Sequence, residues 1–213
     1  MICFLSEIAF SQTRVSISTD LSLLRSFKKE QRFWAGGQSV VADWQFTPNA
    51  GVYASVCYYM LGNFKNTLVA TAKSPATTPQ QFSFSNSAQV RFKQISIGGK
   101  HYFKGTGDAE YGWSIYGKAG FGLLYGNAVN TYSSAIDTSL YNAPQRPVSG
   151  KGHFKRLTLD LGLGWEVPLG ADAFFYTEGK VWIPTTEYPS EYLLVNNNAP
   201  LAGTLSAGVR ILF

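Results

Sequence analysis

The last nine residues alternate as far as Ile211. Leu205, Ala207, Val209 and Ile211 are apolar, Ser206, Gly208 and Arg210 stand between them, and the aromatic Phe213 ends the series. A β-strand sends successive side chains to opposite faces, so this stretch is a ribbon with one oily and one polar face. A strand that closes a β-barrel in lipid has this pattern. One such strand is weak evidence, because many soluble strands alternate, but the pattern recurs along the whole chain.

Seven more segments carry the same period. Residues 14–24 set Val15, Ile17, Leu21 and Leu23 against Ser16, Ser18, Asp20 and Ser22. Residues 33–46 set Trp34, Val40, Ala42, Trp44 and Phe46 against Ala35, Gly37, Ser39 and Asp43, and residues 51–61 set Val52, Ala54, Val56, Tyr58 and Met60 against Tyr53, Ser55, Cys57 and Tyr59. Residues 88–103 are the least regular. Ile95, Ile97 and Phe103 share their parity with Arg91 and Lys93, which predicts a bulge there or emergence of the strand from the membrane. Residues 111–125, 156–167 and 173–183 complete the set. The clearest alternation is Leu157, Leu159, Leu161, Leu163, Trp165 and Val167 against Arg156, Thr158, Asp160, Gly162, Gly164 and Glu166. No segment holds a helical period.

Composition narrows the class. The chain has 213 residues, enough for one barrel domain, and only 15% of them are charged. A soluble domain carries about a quarter, so the charges are too few to coat a surface facing water on every side. No apolar run approaches the roughly twenty residues of a membrane helix, and a chain entering lipid without helices must do so as a closed barrel. The net charge of +5 is spread along the sequence rather than clustered, which gives no footing for nucleic-acid binding. Residues 1–12 read as the tail end of an export signal peptide, with a disordered extension as the alternative, and residues 13–213 as a single barrel domain. Cys3 falls in the first of these, which leaves Cys57 without a disulfide framework.

The connections predict distinct ends. The short ones (47–50, 104–110, 169–172) fall on one rim. Three long polar ones (63–87, 127–152, 184–200) fall on the other, joined by the brief 26–32. Outer-membrane barrels have this asymmetry, with short periplasmic turns and longer extracellular loops, and an even strand count puts both termini on the periplasmic side.

Alternation alone does not say which face is inside. A soluble lipocalin-like ligand-binding barrel would bury the leucines. Three features favour the inverse. Trp44, Phe46, Phe103, Tyr111, Trp113, Trp165, Phe175 and Phe213 gather near the short turns, as an aromatic girdle would. The polar face is rich in Gly and Ser. Its charges are sparse and mixed: Asp20, Asp43, Lys118, Arg156, Asp160, Glu166, Glu178, Lys180 and Arg210. Cations facing lipid at mid-membrane cost roughly 2–4 kcal/mol each, so these residues are expected to line the lumen and pair there. An eight-stranded interior is just wide enough for side chains to fill, which predicts a polar plug rather than an open pore.

On these residues the chain resembles the eight-stranded outer-membrane β-barrel family of OmpA/OmpX type. Through Gln94 to Phe103 it is also similar to the wider outer membrane protein beta-barrel domain group. The resemblance implies an all-β, antiparallel up-and-down transmembrane barrel, exported to the bacterial (Gram-negative) outer membrane. It further implies insertion by the barrel-assembly machinery reading the last strand, and a monomer.

No catalytic, metal or cofactor residues are expected. His101 and His153 are the only histidines, are predicted at opposite rims, and show no nucleophile–base arrangement. The glycine-rich Gly117 to Gly122 lies within a strand and suits close packing rather than phosphate binding. The expected role is structural or surface-interacting, with outer-membrane lipid and lipopolysaccharide around the barrel and a protein or host-surface ligand at the loops (for example 127–132 and 191–196). Lys28, Lys29 and the stretch from Lys151 to Arg156 lie near anionic headgroups in this reading. A narrow channel or transport accessory and a lipid-modifying outer-membrane enzyme are the alternatives.

Overall fold

Strand β1 (Arg14–Ser26) pairs antiparallel with β2 (Trp34–Thr47) along one edge and with the final strand β9 (Ala202–Leu212) along the other. That double pairing begins a closed ring in a computed structural model describing residues 14–27, 31–142, 149–170, 172–186 and 201–213. The ring continues through β3 (Ala50–Ala72), β4 (Gln81–Lys104), β5 (Ser114–Tyr132), β7 (Gly150–Gly170) and β8 (Ala173–Pro184). A two-residue strand, β6 (Tyr141–Asn142), lies outside the ring and pairs only with the tip of β3. Every sequence neighbour in the ring is antiparallel, so the molecule is an eight-stranded up-and-down barrel with no free edge through its ringed section. The expected segment 1–12, Lys28, Lys29 and the 191–196 loop lie outside the described residues.

Side chains sort as the period dictates. Leu21, Leu23, Ile95, Ile97, Phe121, Leu163 and Leu205 face outward and are half or more exposed, while Asp43, Asp160, Glu166, Arg156 and Arg210 are 1–2% exposed. This is the inverse of a water-soluble barrel, and it excludes the lipocalin arrangement.

Three expectations are corrected. The connection 63–87 is not a loop: β3 and β4 run on as a hairpin, paired from Gly62↔Val90 to Thr71↔Gln81, with a tight turn at 73–80. Its residues alternate too, but apart from Val69 the outward face is Asn, Thr, Ser, Lys and Gln rather than apolar, so it reads as loop by composition. Likewise β5 continues to Tyr132 and β7 starts at Gly150, which makes 127–132 strand. Finally, β5 begins at Ser114, leaving Tyr111 and Trp113 in the preceding turn.

Of the two causes expected near Arg91, emergence holds for β4 itself, and the bulge lies in the partner strand. Register slips between Tyr59 and Gly62, where Leu61 adopts φ 65°. A left-handed conformation is rare for a branched side chain and here marks a β-bulge. The extra residue reverses parity. Below it Tyr53, Ser55, Cys57 and Tyr59 face inward; above it Gly62, Phe64 and Ala70 do. The alternation of β4 runs unbroken from Gln81 to Tyr102, so Arg91 and Lys93 stay on the outward face and mark its emergence beyond the apolar belt.

Candidate functional site: a two-tier lumen

Inward positions from all eight strands meet inside the barrel, and the lower tier, toward the short turns, is ionic. Glu166 on β7 receives Arg210 of β9 in a two-nitrogen clasp: Nε donates at 3.1 Å and Nη2 makes the second contact. Tyr102 Oη donates to the same carboxylate at 3.4 Å, and Lys100 Nζ lies 3.8 Å from it and 3.5 Å from Asp43. Higher up, Lys118 Nζ sits 2.8 Å and Lys180 Nζ 3.6 Å from Glu178, which also accepts from Tyr116 Oη at 3.1 Å. Asp20 accepts from Ser39 at 2.6 Å and Tyr176 at 2.8 Å, and Asp160 from Gln94 at 3.0 Å and Thr158 at 2.8 Å. Aromatic faces cover the cations: Lys100 lies 4.2 Å from the Tyr116 ring centroid and Arg210 4.1 Å from that of Phe174.

All nine charges read from the sequence therefore point inward, and the tier unites eight of them. Arg156 stands apart, higher up, where it reaches the backbone carbonyl of Thr186. Lys100 was missed. Its even parity matches Gln94 and Ser96, but the irregular reading of this strand hid that signal. With it, five carboxylates (Asp20, Asp43, Asp160, Glu166, Glu178) face five cations (Lys100, Lys118, Lys180, Arg156, Arg210). Among the described residues the inward formal charges sum to zero, so the lumen has no single-signed field to draw ions through. Glycine makes the space for this packing. A Cβ on Gly164 would collide with the Tyr116 ring that reaches Glu178.

The tier above is mainly apolar, with Arg156 buried at its level, a change from the wholly polar plug expected. Leu24, Phe33, Tyr59, Phe64, Phe92, Phe154 and Trp182 close over the ionic tier as an apolar cluster. Tyr59 packs edge-on to Trp182 at 5.4 Å, and Phe33 contacts Phe92 at 5.9 Å and Phe64 at 6.0 Å. The bulge at Leu61 is what turns Phe64 inward, so an expected all-polar plug becomes a polar floor under an aromatic lid. The lower mouth is covered as well. The β4–β5 connection tucks beneath the strands, with Gly107 N–H donating to Pro48 at 2.9 Å and Arg210 Nη2 to the Gly107 carbonyl at 2.6 Å.

On the outside, the expected lower girdle residues Trp44, Phe46, Phe103, Tyr111, Trp113, Trp165 and Phe213 are exposed near the short-turn rim, and Phe175 is half-buried there. A second belt lies toward the other rim, where the sequence had indicated only Lys155 within the stretch from Lys151 to Arg156. Register aligns Tyr58, Lys93, Tyr125 and Lys155 in one row, and Arg25 covers the Trp34 ring at 4.8 Å. Ten residues separate Phe103 from Lys93, and ten separate Trp165 from Lys155. At about 3.3 Å per residue and a tilt of about 40°, each span is about 25 Å, the height of the apolar band of an outer-membrane barrel.

His101 is exposed, edge-on to Phe103 at 5.6 Å, and His153 is exposed beyond the upper belt, bonded to Asn127. The structure does not bring the two together. Among the described residues no group of His, Cys, Asp and Glu side chains is arranged to hold a metal, and Cys57 is a buried free thiol.

An inside-out ring of eight antiparallel strands, belted at both rims, is the fold of the small transmembrane barrels of bacterial outer membranes. Solved structures of that class match along nearly the whole chain. Neisserial surface protein A aligns with TM-score 0.58 and 11% identity over 93% of this chain and 97% of its own. OprG from Pseudomonas aeruginosa gives 0.55 and 12% over 94% and 96%. Ail, the attachment invasion locus protein of Yersinia pestis, solved with the heparin analogue sucrose octasulfate, gives 0.52 and 14% over 94% and 99%. No family model and no curated protein matches the sequence.

Proposed function

We propose that this chain is a non-enzymatic, monomeric integral protein of the bacterial outer membrane, with a structural or surface-interaction role. Its short turns and both termini are periplasmic and its long hairpins extracellular. The observation that carries the reading is the filled lumen: an ionic floor beneath an aromatic lid, with the β4–β5 turn across the lower mouth. Such an interior stiffens a scaffold and does not serve as a conduit.

Recognition is then left to what projects. From Lys93 to Gln81 the β3–β4 hairpin rises twelve residues past the upper belt, about 30 Å at the same rise and tilt, and it is flanked by β5 and β7. Function on a rigid scaffold concentrates in such projections. A host-surface ligand there is in keeping with the sulfated sugar bound by the similarly folded Ail. The surrounding partners in this reading are outer-membrane lipid and lipopolysaccharide. The barrel-assembly machinery is the expected reader of the last strand, with Leu205, Val209 and Ile211 on its outward face.

Planar-bilayer recording tests the central point. Purified, heat-modifiable barrel is expected to give no stable openings in the nanosiemens range. Stable openings at that level would replace the scaffold reading with a channel.

A further inference from the structure

We infer that the outward face of β4, β5 and β7, just above the apolar belt, is a binding site for the phosphates of an outer-leaflet lipid headgroup. The proposal deepens the outer-membrane reading and rests on it.

Strand register builds the site row by row. The last apolar row is Val56, Ile95, Leu123 and Leu157. The next is Tyr58, Lys93, Tyr125 and Lys155, with Lys93 Nζ 5.6 Å from the Tyr58 ring and Lys155 Nζ 5.7 Å from that of Tyr125. Above it come Arg91, Asn127 and His153, then Gln89, Val129 and Lys151. Each row is two residues higher, about 5 Å at the tilt used above, so the cations occupy the few ångströms that headgroups fill beyond the hydrocarbon. Amphipathic tyrosines alternating with lysines are what such a boundary selects.

Among the described residues nothing on this face neutralises them. The sequence has no Asp or Glu between Asp43 and Asp108, nor between Glu110 and Asp137. Strands β3, β4 and β5 therefore carry no carboxylate, and the two on β7, Asp160 and Glu166, are in the lumen. Among the described residues Arg91, Lys93, Lys151 and Lys155 form no ion pair. A depression of about 330 Å³ opens between Arg91 and Lys151, above the Lys93 and Lys155 row, and is lined also by Gln89, Asn127, Val129 and His153. The hydrogen bond between His153 Nδ1 and Asn127 Oδ1 fixes the ring at its edge. A cleft with three cationic or imidazole side chains and two amides, separated from the last apolar row only by the Tyr58–Lys93–Tyr125–Lys155 row, matches a phosphorylated lipid. A soluble polyanion would have no use for the apolar row beneath.

Native mass spectrometry of the full chain, released from micelles with diphosphoryl lipid A, tests this. Lipid retention is expected to fall about tenfold or more in the quadruple variant R91Q/K93Q/K151Q/K155Q. It should fall similarly for wild type given the enzymatically dephosphorylated lipid, an arm that needs no variant to fold. Equal retention in either comparison overturns the proposal. So does displacement of the lipid by an equal concentration of inorganic phosphate or sucrose octasulfate, which would assign the cations to a soluble anion. Loss of heat-modifiable migration in wild type would instead overturn the membrane-barrel reading underneath, and the two failures are therefore distinct.

Discussion

Replacing Glu166 with Ala is expected to lower the unfolding free energy of the barrel by about 3–5 kcal/mol, measured by denaturant titration in lipid. The carboxylate and its Arg210 partner are each 1% exposed. Arg210 would retain the Gly107 carbonyl but lose its counter-charge, Lys100 would fall back on Asp43 alone at 3.5 Å, and Tyr102 would lose its acceptor. The large effect comes from stranding desolvated cations rather than from the strength of the pair itself. The double variant E166L/R210M, which removes both charges and keeps apolar volume, should therefore cost clearly less than the single one. A double variant as damaging as the sum of both singles would show that the pair contributes net stabilisation and would sink this account.

Leu161→Arg probes the opposite surface. Leu161 faces outward, 43% exposed, four residues above the girdle Trp165 and six below Lys155 on the same strand, which places it close to mid-membrane. An arginine there is expected to cost about 2–4 kcal/mol, whereas Val129→Arg, above the upper belt, should cost about 0–1 kcal/mol. The contrast between the two sites is the informative quantity. Were the outside bathed in water, both changes would be ordinary surface substitutions worth about half a kcal/mol or less. Equal small effects would therefore remove the membrane from the description altogether.

The two substitutions act on the two sides of one pattern, and the pattern is where the sequence was most legible. Period-two alternation gave all eight ring strands, the inward direction of nine charged residues, and the outward direction of the leucines. It works because sidedness is a local property: each residue's face follows from its neighbour's. Composition misled where composition was the guide. The hairpin 63–87 reads as loop because Lys65, Thr67, Ser85 and Ser87 are polar, yet a strand that has left the lipid keeps its hydrogen bonds and changes only its outward residues.

Ring closure decided the rest. Which carboxylate meets which cation depends on register across neighbouring strands, so Lys118 with Glu178 and Arg210 with Glu166 could not be paired from their positions along the chain. One inserted residue at Leu61 reversed the parity of the upper β3 strand, sent Phe64 into the lumen, and made an aromatic lid where a wholly polar plug was expected. Lys100, hidden in the irregular segment, became the cation that balances the interior charge. The sequence by itself determined the faces, because alternation needs only adjacent residues. The tertiary structure determined the heights and partners, because these are fixed only when the first strand meets the last.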